Sequence, residues 1–167
     1  MMNNRKVSLV LLIFVSLLAG CSSTGGKNAT KPLKMFRINL GLAMQDDFYQ
    51  AIEMIVYGRY RYIDSGDSHS SPNNLELVTE WRPRFILDDE KELGIVVVWS
   101  RILLTAKLRP GQASFGGEST YRVTMRAESR VKYSEYESWQ PGPLTTQARN
   151  YFRDIADDLL QELKKPY

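Results

Sequence analysis

One cysteine and one histidine stand among 167 residues. A single thiol excludes an intrachain disulfide framework and a cysteine-based zinc site, and a single imidazole excludes a His–His metal pair. Long apolar runs are also missing. The longest, residues 7–18, is twelve residues interrupted by Ser8 and Ser16. It is too short to cross a hydrocarbon core of about 30 Å, for which about 20 apolar residues are needed. No strong charge imbalance exists either: 22 basic against 19 acidic residues give a formal +3. What remains, 43% hydrophobic and 25% charged, is the make-up of one globular domain, or at most two small ones. It excludes disordered, collagen-like and multi-span membrane chains.

Arg5 and Lys6 precede the apolar run, and Leu18-Ala19-Gly20-Cys21 follows it. A positive start, a short apolar middle and a small-residue end are the parts of an export signal. The tetrad resembles the lipobox of bacterial lipoproteins. Small residues there let an intramembrane peptidase hold an extended chain, and the cysteine sulfur is the nucleophile that takes the lipid. The resemblance implies removal of a signal peptide, residues 1–20, and acylation of Cys21. Several acyl chains, at about 0.8 kcal/mol per buried CH₂, give stable anchoring. In the sorting pattern of such lipoproteins Asp after the cysteine retains the protein at the inner membrane; Ser22 implies the periplasmic face of the outer membrane. Losing Arg5 and Lys6 takes the basic count from 22 to 20 against 19 acidic residues, a formal +1. The basic balance is therefore no nucleic-acid signature, and no nucleic-acid partner is expected.

Residues 22–34 read SSTGGKNATKPLK, a flexible tether with an r.m.s. reach of about 20 Å. With Cys21 they make a segment 21–34 ahead of a single domain, 35–167. The triplet Asn28-Ala29-Thr30 matches a glycosylation acceptor by chance in this setting.

The domain reads as two helices and a sheet. Phe36, Ile38 and Leu40 alternate with Arg37 and Asn39, a short strand. Met44, Phe48, Ala51, Ile52, Ile55 and Val56 form one apolar stripe, which predicts a helix over 45–57 with Asp46 and Asp47 in its first turn and Gly58 at its stop. Residues 59–63 are aromatic and β-branched, a second strand. Residues 64–74, DSGDSHSSPNN, are a loop. Residues 75–85 alternate, with Leu77, Thr79 and Trp81 on one face. A charged turn, 88–92, precedes the most apolar stretch, 94–108, which reads as a central strand buried on both faces. A loop over 110–117 leads to a strand over 120–133. There Tyr121, Val123, Met125, Ala127, Val131 and Tyr133 face inward, and Arg122, Thr124, Arg126, Glu128, Arg130 and Lys132 face outward. Residues 140–143 break the sheet, and Thr145 or Thr146 caps a last helix with Ala148, Tyr151, Phe152, Ile155, Leu159, Leu160 and Leu163 on its apolar side. The expected order is β-α-β-β-β-β-α, an α+β fold with two helices packed on one face of an antiparallel sheet.

The stretch Asp64-Ser65-Gly66 followed by Leu77-Val78-Thr79-Glu80-Trp81 resembles the pattern of BamC-type helix-grip lipoproteins, accessories of outer-membrane β-barrel assembly. The chain departs from that pattern by the insertion 67–74. It is also similar to LptE-type lipoproteins of lipopolysaccharide transport, again a sheet with two helices on one face. Either resemblance implies a non-enzymatic envelope protein, and neither carries a site residue over.

Enzymatic signals fail on their chemistry. Gly66-Asp67-Ser68 matches the opening of GDSL-type hydrolases, but the one histidine, His69, is adjacent to the serine in a polar loop, where the two side chains do not converge on one proton. The pairs Asp46-Asp47 and Asp157-Asp158 and the triplet Asp88-Asp89-Glu90 lie at turns or helix faces, where solvated carboxylates are the rule. No catalytic residue, metal or cofactor is expected. The one charged pattern with a binding chemistry is the stripe Arg122, Arg126, Arg130 and Lys132, with Arg82 and Arg84 expected on a neighbouring strand. It suits an anionic partner because guanidinium forks match phosphate and carboxylate, and its plain alternative is a solvated face balanced by Glu76, Glu80 and Glu128. Of the aromatic residues most read as core, but Tyr133, Tyr136 and Trp139 fall near the end of the sheet, and an exposed cluster there suits a protein contact. The expectation is an interaction or scaffold lipoprotein of envelope assembly, membrane-held through Cys21, with an envelope protein as partner. A lipid or glycolipid carrier, holding an anionic lipid, is the alternative.

Overall fold

The computed structural model describes residues 35–109 and 119–165; the expected signal peptide, Cys21, the expected tether and the loop expected over 110–117 lie outside the described residues. β1, Met35–Met44, extends directly into helix α1, Gln45–Ala51, which runs on as a π-helical stretch, Ile52–Arg59. Then follow β2 (His69–Ser71), β3 (Asn74–Val78), β4 (Arg82–Pro83), α2 (Asp88–Glu92), β5 (Val97–Leu108), β6 (Thr120–Lys132), β7 (Gln140–Pro141) and α3 (Thr146–Glu162). All strands belong to one antiparallel sheet in the order β1-β6-β5-β3-β2, with β4 beside β5 and β7 beside β6. This is the expected α+β architecture. None of the described helices is long and apolar enough to cross a membrane.

The core lies between one sheet face and the helices. Period-two alternation sends Tyr121, Val123, Met125 and Ala127 of β6 to that face, beside Ala106, Leu104 and Ile102 of β5, which sit opposite them. Phe48, Ile52, Ile55 and Val56 from the first helix and Phe152, Ile155 and Leu159 from α3 fill the same cluster. The stripe read along each helix is therefore the face that packs, except Met44, which ends β1 and is exposed. Gly58 does not stop the first helix, whose π-helical stretch runs on to Arg59. Thr145 caps α3, its Oγ1 accepting from the Ala148 amide at 3.1 Å.

Several expectations are corrected. Residues 59–63 are not a strand. Arg61 has a positive φ of 57°, which a strand cannot accommodate. The wide π-turn holds the segment, with the Tyr60 amide donating to Ile55 O and the Tyr62 amide to Val56 O. The two phenols serve as anchors: Tyr60 Oη donates to Asp158 at 2.6 Å and Tyr62 Oη pairs with Ser100 Oγ at 2.8 Å. The 64–74 loop contributes a short hairpin strand, β2.

The 75–85 run is broken. Val78 faces Leu103 but Arg82 faces Ser100, so four steps on one strand meet three on the other. Such a bulge reverses the faces of every side chain beyond it. Trp81 consequently leaves the side of Leu77 and Thr79 for the opposite sheet face. The central strand β5 is buried on its helix face from Val98 to Ala106 and only partly on the other, because no layer covers that second face. Tyr133 lies beyond the end of β6 and is exposed, not inward. The turn expected at 88–92 is helix α2, and its Glu90 is completely buried rather than solvated.

Candidate functional site

The helices leave one face of the sheet uncovered, and its chemistry follows from register. On β6 the outward residues are Arg122, Thr124, Arg126, Glu128, Arg130 and Lys132. Across from them lie Lys107, Thr105, Leu103, Arg101, Trp99 and Val97 of β5, and β1 adds Arg37 opposite Arg126 and Asn39 opposite Thr124. The expected stripe is thus on the open face, but the structure divides it into two environments.

One half is aromatic. The three tryptophans of the chain, Trp81, Trp99 and Trp139, surround the Arg130 guanidinium, with ring centroids 4.7, 4.6 and 4.6 Å from it. Arg101 lies 4.6 Å from the Trp81 ring and Lys132 5.2 Å from Trp139. Trp99 and Trp139 are 5.1 Å apart. The bulge brings Trp81 here, and the β6–β7 pairing brings Trp139. That pairing needs Gly142, whose amide donates to Ser129 O at 2.8 Å; a Cβ there would lie 2.8 Å from the Ser129 Cβ. Burial, and then the neighbouring charge of Arg101, lowers the Arg130 pKa, and its Nε is buried without a hydrogen-bond partner. Arg130 thus lies on the open face that alternation assigns it, but the three indoles cover its guanidinium there. A groove of about 430 Å³ opens between Trp81, Arg130, Trp139, Pro141 and Met35.

The other half is cationic. Arg37, Lys107, Arg122 and Arg126 line a shallow groove of about 370 Å³ around Thr105 and Thr124. Arg126 is partly compensated, 3.4 Å from Glu128, which Arg101 also holds at 2.8 Å. Arg37, Lys107 and Arg122 make no ion pair among the described residues.

The serine-histidine candidate takes a different form. Ser68 Oγ donates to Asp64 Oδ1 at 2.8 Å and accepts from the Val78 amide at 3.1 Å. Asp64 Oδ1 also accepts from the Gly66 amide at 2.8 Å, and Asp64 Oδ2 accepts from Tyr57 Oη at 3.3 Å. Ser68 is thus a strut between a turn and β3, and no hydrogen bond joins it to the exposed His69. Several of the acidic groups are likewise occupied. Asp89 accepts from Thr145 Oγ1 and from the Gln147 amide, fixing the start of α3; Asp158 holds Arg59 at 2.7 Å; Asp88 holds Lys91 at 2.8 Å. Among the described residues no three His, Cys, Asp or Glu side chains come together as a metal site would need.

Sequence reasoning reached the outward residues of β6 and Trp139, but grouped Trp139 with Tyr133 and Tyr136 and missed Arg37, Lys107 and the meeting of the three tryptophans. Arg82 and Arg84 do not join the stripe: Arg82 lies opposite Ser100 and over the Tyr62 ring, and Arg84 is buried against Glu90. Arg37 and Lys107 sit on strands whose pairing partners no local pattern reveals. The tryptophans lie 18 and 40 residues apart along the chain and meet only through the bulge and β7. Compared with known proteins, the chain matches no family model, and no curated protein matches it.

Proposed function

We propose that this chain is a non-enzymatic lipoprotein, anchored through an acylated Cys21 at the periplasmic face of the outer membrane, whose domain works as an interaction or scaffold module of envelope assembly. The observation that carries the reading is the convergence of Trp81, Trp99 and Trp139 on Arg130 on the sheet face that the helices leave open. Trp and Arg are the residue types that dominate binding energy at protein interfaces, and here they form a pre-positioned cluster beside an apolar groove. The middle of the helix–sheet interface is filled by Val56, Leu104, Met125, Phe152 and Ile155. A groove of about 420 Å³ between the first helix and β2–β3 lies at the sheet edge, where Glu53, Asp64 and Glu76 share its lining with Phe48, Ile52 and Leu77. That lining suits an acyl chain less well than the apolar groove beside the tryptophans suits a docking partner.

The test is recovery of partners with the lipidated protein from membranes. A protein whose recovery falls with Trp81→Ala and with Trp139→Ala, but not with Ala at the 98% exposed Tyr136, supports the reading. An unchanged set across all three variants sinks it. A second reading, binding of an anionic lipid on the same face, is favoured by the uncompensated cations of the neighbouring groove.

A further inference from the structure

The register of β6 creates an electrostatic anomaly. Arg126 stands directly opposite Arg37, and Arg122 directly opposite Lys107, with Thr124 facing Thr105 between the two pairs. Like charges directly across a strand pair destabilise a sheet. The pairs are four residues apart on β6, about 13 Å along the strand, and their long side chains line one groove. Glu76 is the one carboxylate in that lining, and it forms no ion pair among the described residues. A surface that keeps two facing cation pairs is complementary to an anion lying between them, because the anion removes both repulsions at once. The guanidinium groups of Arg37 and Arg122, a third on Arg126 that also holds Glu128 and Met35, an ammonium and two hydroxyls surround that position, and guanidinium forks suit phosphate oxygens in a way that ammonium groups alone do not.

The neighbouring groove narrows the choice of ligand. Arg126 Nε donates to Met35 Sδ at 3.0 Å, so the cationic groove abuts the apolar one that Met35, Trp81, Trp139 and Pro141 line. A phosphate with an apolar continuation fits both. We propose that the paired-cation groove is a headgroup site for an anionic phospholipid. The phosphodiester lies between Arg37–Arg126 and Lys107–Arg122, and the glycerol and the start of the acyl chains lie against Trp81 and Trp139. The proposal rests on the reading of the open face as the working surface and names one ligand of it.

The test uses the full lipidated protein in neutral detergent micelles doped with phosphatidylglycerol or phosphatidylcholine brominated on the acyl chains, with tryptophan fluorescence as the readout. Phosphatidylglycerol should quench more strongly than phosphatidylcholine at equal doping. Lys107→Gln with Arg122→Gln should lower the apparent affinity for phosphatidylglycerol about ten-fold or more, the loss expected for charge-assisted contacts. Arg149→Gln with Arg153→Gln, on α3, should leave it unchanged. The first double variant should melt at the same temperature as the parent or higher, since it removes a facing like-charge pair; a clear fall would mean the charges hold the sheet together and overturns the premise. Equal quenching by both lipids, an equal loss in the α3 variant, or displacement of phosphatidylglycerol by inorganic phosphate at the same concentration each overturns the proposal. If lipid binding fails while Trp139→Ala still removes a protein partner, the headgroup site falls and the docking face stands.

Discussion

The Arg84 guanidinium is locked onto the carboxylate of Glu90 in the interior, Nη1 donating to Oε2 at 2.8 Å and Nη2 to Oε1, with the two side chains 3% and 0% exposed. Glu90 Oε2 also accepts from the Leu87 amide at 3.1 Å, which closes the first turn of α2. Arg84 lies over the rings of Tyr151 and Phe152 in α3. One ion pair thus ties β4, α2 and α3 together at the end of the sheet.

Glu90→Ala should therefore cost about 3–5 kcal/mol, because it strands a buried guanidinium. Replacing both partners, Arg84→Met with Glu90→Leu, should recover most of that loss. Urea denaturation of the three proteins decides it; a single variant as stable as the parent would show that water reaches the pair.

Ile155 and Leu159 are buried at the centre of the helix–sheet interface, each no more than 1% exposed. Ile155→Ala or Leu159→Ala should each cost about 2–5 kcal/mol. Thermal melts that scarcely move for both would mean α3 contributes no packing.

The basic stripe should respond unevenly. Arg122→Gln is a surface change and should stay within about 0.5 kcal/mol of the parent. Arg130→Gln removes a guanidinium shared by three indoles and should cost about 1–2 kcal/mol. Arg130→Lys should not restore it, since the planar stack is lost. Equal effects at the two positions, read from chemical denaturation, would contradict the division of the stripe.

Alkaline pH should unfold the domain through its phenols. Burial first, then Asp64, pushes Tyr57 up to about 12 from an ordinary value near 10. Burial and the Asp158 bond raise Tyr60, and burial raises Tyr62. The folded state holds these protons more tightly than the unfolded chain does. Their stabilisation is therefore complete below pH about 10, and the share of Tyr57 is lost as pH rises through about 12. Ultraviolet titration should show three of the nine tyrosines ionising late in the native protein; a single transition near pH 10 for all nine would refute this.

Cys21→Ala should abolish acylation, because no second thiol exists in the chain. The uncleaved precursor should accumulate. Normal processing of this variant with incorporation of labelled palmitate would remove the anchor from the account.

Alternation and three-and-four spacing determined the α+β class, the strand β6 with its inward and outward sets, and the apolar faces of both long helices. These are local periodicities imposed by the backbone, so they can be read in one dimension. Residues 59–63 show the limit. Their β-branched and aromatic character is real, but Arg61 turns left-handed and Tyr60 and Tyr62 bond to Asp158 and Ser100, partners that only the fold supplies. The fate of the acidic triplet was equally hidden: Glu90 is buried because Arg84, across a turn, lies above it. Only the tertiary structure decided the make-up of the open sheet face. Sheet register placed Arg37 against Arg126 and Lys107 against Arg122, and a one-residue bulge moved Trp81 to the side of Trp99 and Trp139. Register and bulges depend on pairings between distant segments, and those are settled by the packing of the whole sheet against its helices.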